Sequence, residues 1–501
     1  MYPIFYDELS TKMYPSQNTH NFAVAGKISG SIGAIGEIGG DVKVVLHAPI
    51  GCGYHYKNSA RRRHQPFFPL FCTDLTEEEI VYGGSDKLRS TVREVWERYH
   101  PKRIFVIPSP ITDILNEDIL SVARELREEG IPVADITSEL FSHRDKTYAK
   151  RRMKELSKLK VGGDSRLEIE LLGCGFSEAL CAMVDHVMEP CDVIPHSINI
   201  ETVGWGSEGS IVLREIEKTL NKAGITVNTW LPSTDIEVLG RAPAAQLNVV
   251  KRIHWAKHMQ DRFKTPYMHI NDAGRYVGLD GVRRFYMDIA EQMGMGREME
   301  PVLDEECRWV REETADAREK MKGFNCVLEC RGLANAPFRL KTYAKELGLN
   351  ISKICVILTE RMRITSGIDA EVEGNLMARL RDSVELYAPG AEIVMNPDKE
   401  QRGAIYAQAD AIVGGNDASL EGQGCPVIPD LNVINGLSFG SYVRTVKRMA
   451  RRLDNRSERR ELILNRMPFT VDDYPRIATR STTASRIVWE QMWLDKSKEN
   501  G

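Results

Sequence analysis

The segment Ser85–Ile107, SDKLRSTVREVWERYHPKRIFVI, reads as an amphipathic helix followed, after a short break, by a strand. Leu88, Val92, Val95, Trp96 and Tyr99 recur at helical spacing and share one face, and the β-branched run Arg103–Ile107 comes next. The same unit recurs outward from here. Ile119–Arg127 is a predicted helix and Ile131–Ile136 a strand. Near Asp192 a second series begins, with Ile211, Val212, Ile216 and Leu220 on a helix ended by Gly224 and a strand Ile225–Val227 behind it. Near Asn325 a third begins, with strands Cys326–Glu329, Lys353–Leu358, Ile393–Met395 and Ala411–Val413 alternating with helices, closed by a helix over Leu437–Met449. Alternation of this kind implies an α/β protein. The expected fold is three doubly wound, Rossmann-like parallel-sheet domains around a central cleft, spanning residues 1–189, 190–322 and 323–501, the last with a charged tail.

At 501 residues the chain is too long for one core and suits about three domains. Its formal net charge is −4, from 67 Lys and Arg against 71 Asp and Glu, so no global field favours nucleic acid. No run approaches the ~18 apolar residues needed to span a bilayer, and the aromatic and acidic N-terminal stretch has no apolar signal core. A cytoplasmic protein is expected, without nucleic-acid or membrane partners. Ten scattered cysteines are then poor disulfide candidates, and most should be buried small hydrophobes. The ladder Gly30, Gly33, Gly36, Gly39 lacks dinucleotide spacing, and no Gly-Lys-Ser/Thr ending occurs, which argues against an ATP site. Cys326 and Cys330 have no second pair at zinc spacing and read as strand cysteines.

One cysteine differs from the rest. In His47-Ala-Pro-Ile-Gly-Cys-Gly53, Cys52 sits between glycines that remove side-chain bulk and permit positive φ, so its sulfur can be pressed against something large. A thiolate held this way suits an iron–sulfur ligand; the competing reading is a buried thiol in a tight turn. Cys72 precedes an acidic helix start and a Gly-Gly turn.

The stretch from His47 to Gly84 resembles the nitrogenase component 1 superfamily. Its alpha subunit carries a similar His-Gly-Pro-x-Gly-Cys-Gly turn, an Arg-Arg pair, and a Thr-Ser-Asp-Phe-x-Glu-x-Asp-Ile-Val-Phe-Gly-Gly segment, matched here by Cys72-Thr-Asp-Leu75 through Glu79-Ile-Val-Tyr-Gly-Gly84. The resemblance implies that Cys52 is a metal ligand at a subunit interface, with Cys72 either a core thiol or a replacement ligand, and that Arg61 of the triplet Arg61-Arg62-Arg63 reaches a cluster or an anionic ligand. Two of the family's three cluster cysteines are missing: no cysteine precedes Cys52, and the third position carries Ser109. The cofactor-anchoring cysteine is replaced by Arg252, and no histidine follows His269 to serve as the other anchor. Dinitrogen reduction by this chain alone is therefore not expected. Gly173-Cys-Gly-Phe176 resembles the turn into the family's cavity-lining helix, on which Cys181 and Asp185 stand four apart on one face. Within that cavity Cys181 and Arg252 are the expected substrate-binding residues, and Asp185 and His254 the expected proton donors.

The function implied is that of a subunit of a nitrogenase-like reductase complex, not a true dinitrogen-reducing alpha subunit. Electrons would come from a separate ATP-dependent iron–sulfur reductase homodimer, which alone binds ATP and Mg. They would pass through an interfacial cluster, [4Fe–4S] or larger and P-cluster-like, to a small organic or tetrapyrrole substrate. A second nitrogenase-like subunit would complete an α2β2 assembly. The alternative is a non-catalytic scaffold for metallocluster assembly.

Overall fold

The computed structural model describes residues 27–54, 70–109, 111, 112, 115, 117–136, 175–202, 209–270, 276, 278–334, 336–360, 362, 363, 368–414, 427, 428 and 437–454. Its elements build three parallel sheets.

The first unit runs α1 (Lys27–Ile35), β1 (Val42–His47), β2 (Leu70–Cys72), α2 (Glu77–Tyr82), α3 (Ser85–Tyr99), β3 (Arg103–Pro108), α4 (Ile119–Glu128) and β4 (Val133–Asp135), in sheet order β2-β1-β3-β4. Successive side chains of a strand point to opposite faces, and here the alternation divides two cores. Val44, Leu46, Phe105 and Ile107 join α1 and α5 (Gly175–His186) on one side. Val45, Ile104 and Val106 meet Leu88, Val92 and Val95 of α3 and Val122 and Leu126 of α4 on the other.

The second unit comprises β5 (Ile194–Glu201), α6 (Gly209–Lys222), β6 (Thr226–Leu231), α7 (Ile236–Gly240), β7 (Ala245–Val250), α8 (Ile253–Phe263) and β8 (Tyr267–His269), in the same order, β6-β5-β7-β8. Two helices, α9 (Gly278–Gln292) and α10 (Gly296–Met321), lead to the third sheet. There β9 (Asn325–Arg331), α11 (Ala336–Leu340), β10 (Asn350–Ile357), α12 (Ala370–Tyr387), β11 (Glu392–Met395), α13 (Lys399–Ala407), β12 (Ala411–Val413) and β13 (Val427–Ile428) give the order β11-β10-β9-β12-β13. The closing helix α14 (Phe439–Asp454) does not stay with that sheet. Val446 and Met449 join a core shared with Val310 of α10 and Ile216 of α6, and Arg444 forks onto Glu215.

In each sheet, the strand that opens its unit has neighbours on both sides, so the chain reverses direction beside it. Crevices for ligands form at the carboxyl ends of strands at such switch points. In the first sheet Leu46 pairs with Cys72 and His47 with Pro108, which brings the ends of three strands level. Among the described residues no helix is long and apolar enough to cross a membrane.

Candidate metal and ligand site

The carboxyl edge of the first sheet gathers the sequence-predicted thiols. Residues 50–54 are helical, with Cys52 N donating to Pro49 O at 3.0 Å. Neither Gly51 nor Gly53 takes positive φ, contrary to the tight-turn expectation. Gly53 is needed for room instead: a Cβ there would stand 3.1 Å from Cys72 Cβ and 3.3 Å from its Sγ. Cys52 and Cys72 are both half-buried and pack against one core. The Cys72 thiol donates to Ala48 O at 3.1 Å, and burial pushes it above the ordinary thiol value, as expected of a packed thiol.

A buried histidine fixes this edge. His47 Nδ1 lies 3.1 Å from Thr73 Oγ1, and Nε2 lies 3.2 Å from Glu117 Oε2. Glu117 in turn accepts from Gly84 N at the start of α3. One imidazole thus ties the ends of β1 and β2 to the β3–α4 connection. Desolvation lowers the His47 basicity more than Glu117 restores it. Ser109, at the register of a family cysteine, is buried, and its backbone N donates to Thr112 Oγ1 at 2.9 Å while its O accepts from the same hydroxyl at 2.9 Å.

At the second sheet's switch point, between β5 and β7, Glu201 is fully buried. It accepts from Lys251 N (3.0 Å), Arg252 N (3.2 Å), Trp255 Nε1 (3.1 Å) and the Arg252 guanidinium. Arg252 is 2% exposed and lies over the Phe176 ring, 4.4 Å from its centroid. The guanidinium expected to face a substrate is therefore turned into the protein, because Glu201 offers it a carboxylate there.

Cys181 packs against the first core, and burial, reinforced by Asp185 and Glu178, pushes its thiol up. Asp185 is shared by His258 Nε2 and Arg262 Nη1 of α8, each at 2.8 Å, so its carboxylate is already engaged by two cationic or donor groups. His254 is exposed on α8 and apart from that pairing. His186 reaches the other way, to Asp135 at 3.4 Å. Arg61 lies outside the described residues, as do Cys174 and Cys425.

The residues present fit one corner of an iron–sulfur centre and not a closed cage. Among the described residues no group of three or more His, Cys, Asp or Glu is placed to hold a metal ion. Two thiols fall short of the four that a [4Fe–4S] cluster takes.

A family model described as nitrogenase component 1 type oxidoreductase matches residues 28–418. The chain belongs to this family. Among its relatives, the nitrogenase iron-molybdenum cofactor biosynthesis protein NifE of Sinorhizobium fredii is 29% identical over 396 residues, 74% of this chain and 72% of that protein. NifE of Methanococcus maripaludis is 26% identical over 301 residues, 56% and 55% of the two chains. The nitrogenase molybdenum-iron protein alpha chain of Clostridium pasteurianum is 24% identical, over 58% and 52%. The chain thus spans about half the length of these last two relatives. A solved structure of nitrogenase Cp1 at pH 5 superposes with a TM-score of 0.53 at 18% identity, covering 91% of this chain and 92% of that one, which establishes the nitrogenase-like fold of three Rossmann-like units.

Sequence reasoning missed Glu117 and Glu201. Both are acids one residue before a helix cap or at a strand's last position, and nothing local distinguishes them from surface carboxylates. Only the third dimension supplies their partners, 70 and 51 residues away.

Proposed function

We propose that this chain is the alpha-type subunit of a cytoplasmic, nitrogenase-like complex, in which Cys52 ligates an iron–sulfur cluster at the face shared with a second subunit. The observation that carries this is the pair Cys52 and Cys72, both packed against the same core beside the level ends of β1, β2 and β3 within the family-matched region. Cys52 is the primary ligand, since Cys72 already donates its proton to Ala48 O. The remaining ligands come from the partner, in an α2β2 assembly. Such a cluster, when bound, supplies one-electron transfer. This chain's residues hold it, with His47 and Glu117 fixing the loops around it and the Arg252–Glu201 pair closing the position from which a larger cofactor would be anchored. An ATP-dependent iron–sulfur reductase delivers electrons, and the substrate is a small organic molecule or a tetrapyrrole.

A second reading, a scaffold on which a metallocluster is assembled and passed on, is favoured by the relatives named as cofactor biosynthesis proteins. Anaerobic purification with the co-purifying subunit, followed by iron and sulfide counting, tests the shared part: Cys52→Ala should lose the interfacial iron, and unchanged iron would sink the assignment. Addition of the reductase, ATP and either a porphyrin or an alkyl thioether separates the two readings. Turnover supports the reductase, whereas transfer of iron to a cluster-free acceptor without turnover supports the scaffold.

A further inference from the structure

The two thiols at the first sheet's carboxyl edge meet at one turn of chain. Cys52 lies within the helical residues 50–54, and Cys72 comes up against that turn from the end of β2. The Pro49 carbonyl oxygen accepts from Cys52 N at 3.0 Å and lies 3.6 Å from Cys72 Sγ, so a single oxygen separates the Cys52 backbone from the Cys72 sulfur. Gly53 presents only backbone to Cys72, whose Cβ and Sγ stand 3.1 Å and 3.3 Å from where a side chain would begin. Both thiols are half-buried, and Gly51 and Tyr54 on either side of the Cys52 turn are exposed, which opens it to small solutes. Cys307, Cys326, Cys330 and Cys355, by contrast, are buried.

We propose that Cys52 and Cys72 close into a reversible disulfide in the chain before it carries a cluster, a thiol switch that bars iron until a dithiol reopens it. The bond rests on the geometry of the turn; its effect on iron rests on the ligand role proposed for Cys52. Disulfides in a reducing compartment are mostly transient and redox-sensing. A bond forms with the two Cβ atoms about 4 Å apart, and the Cys72 Cβ already stands against the residue next to Cys52.

The oxidant is a low-molecular-weight disulfide such as oxidised glutathione. Cys52, on the open side, attacks one of its sulfurs as the thiolate, which makes a mixed disulfide and releases one thiol. Cys72 then attacks the Cys52 sulfur and releases the second. The protein thiols together lose two electrons and two protons, and the oxidant gains both to become two thiols. Cys72 is the resolving partner, because burial favours its protonated form and its proton rests on Ala48 O. The Gly53 and Asp74 amides, which donate to its sulfur, support the thiolate as it forms. Once joined, neither sulfur is a thiolate, the form that binds metal.

The test takes the full chain, purified anaerobically and reduced, through incubation with oxidised glutathione and digestion without reductant. Trypsin cuts after Lys43, Lys57, Arg63 and Lys87, which puts the two cysteines on separate peptides. Mass spectrometry should find these peptides joined, a dithiol should part them, and Cys52→Ser and Cys72→Ser should each abolish the joined species while leaving the circular dichroism of the chain unchanged. Mixed with the co-purifying subunit, ferrous iron and sulfide, the oxidised chain should take up no iron until the dithiol is added. Separate glutathione adducts on the two cysteines, a bond from either to another cysteine, or two unmodified thiols would overturn the proposal. Equal iron uptake by the oxidised and reduced chains would overturn the switch. A joined pair whose reduced form binds no iron either would overturn the cluster reading and the switch with it, while the bond would stand.

Discussion

Two glycines flank Cys52, but their surroundings differ. A Cβ on Gly51 would meet nothing within 4 Å, whereas one on Gly53 would press on Cys72. Gly53→Ala should therefore cost about 1 kcal/mol or more as the packed thiol is displaced, while Gly51→Ala should be close to neutral. Urea midpoints of the two variants check this, and equal midpoints would mean that Cys72 yields freely. The Arg252–Glu201 pair makes a stronger demand. Removing the guanidinium strips a fully buried carboxylate of its ion-pair partner, and breaking such a pair costs about 3–5 kcal/mol. Three N–H donors to Glu201 persist in Arg252→Met, so the lower end of that range is expected. A variant of unchanged stability would return Arg252 to the ligand-binding role that the sequence suggests.

Elements with strong periodicity are legible from residue spacing alone. Ser85–Tyr99 is the helix that Leu88, Val92 and Val95 imply, and the strand after it ends one residue beyond its predicted limit. Strand and helix ends are less so: the predicted strand Ile225–Val227 is Thr226–Leu231, and the closing helix is Phe439–Asp454 where the spacing predicts Leu437–Met449. Hydrophobic spacing reports which face of an element is covered, and it does not report by what. That is why the crossing of α14 to the second unit leaves no trace in the sequence pattern. Its docking depends on Glu215 of α6, which takes the Arg444 fork and the Ser438 hydroxyl at 2.6 Å. Gly440 leaves room for this carboxylate, since a Cβ there would come within 2.4 Å of Glu215 Oε1. Gly440→Ala should thus cost about 1–3 kcal/mol and expose α14 to limited proteolysis before the first unit opens. The candidate site is legible in part for the same reason: Cys52 and Cys72 stand in a recognisable local pattern, while the partners of His47 and Arg252 arrive from distant strands.

At the scale of the whole molecule, the thiol count decides how the chain must assemble. Cys307, Cys326, Cys330 and Cys355 lie buried in α10, β9 and β10, outside the first unit, and Cys181 stands on α5 rather than at a strand end, so none of these is placed at the first sheet's edge. Cys191 is half-exposed, but it lies before β5, at the opposite end of the second sheet from its ligand edge. Cys52 and Cys72 then remain as donors there among the described residues, against the four a [4Fe–4S] cluster takes. Exposed Ile50 and Tyr54 beside Cys52, with Val81 and Tyr82 at the end of α2, leave apolar surface next to the deficit. The expected outcome is that the chain, expressed alone and reconstituted anaerobically, binds substoichiometric iron, and that full iron appears only in a higher-mass assembly. A partner bringing three thiols would leave Cys72→Ala loaded with iron, whereas a homodimer sharing Cys52 and Cys72 from each copy would lose iron in both single variants. Native mass spectrometry of the three preparations distinguishes these arrangements, and a monomer carrying a complete four-iron cluster would contradict both.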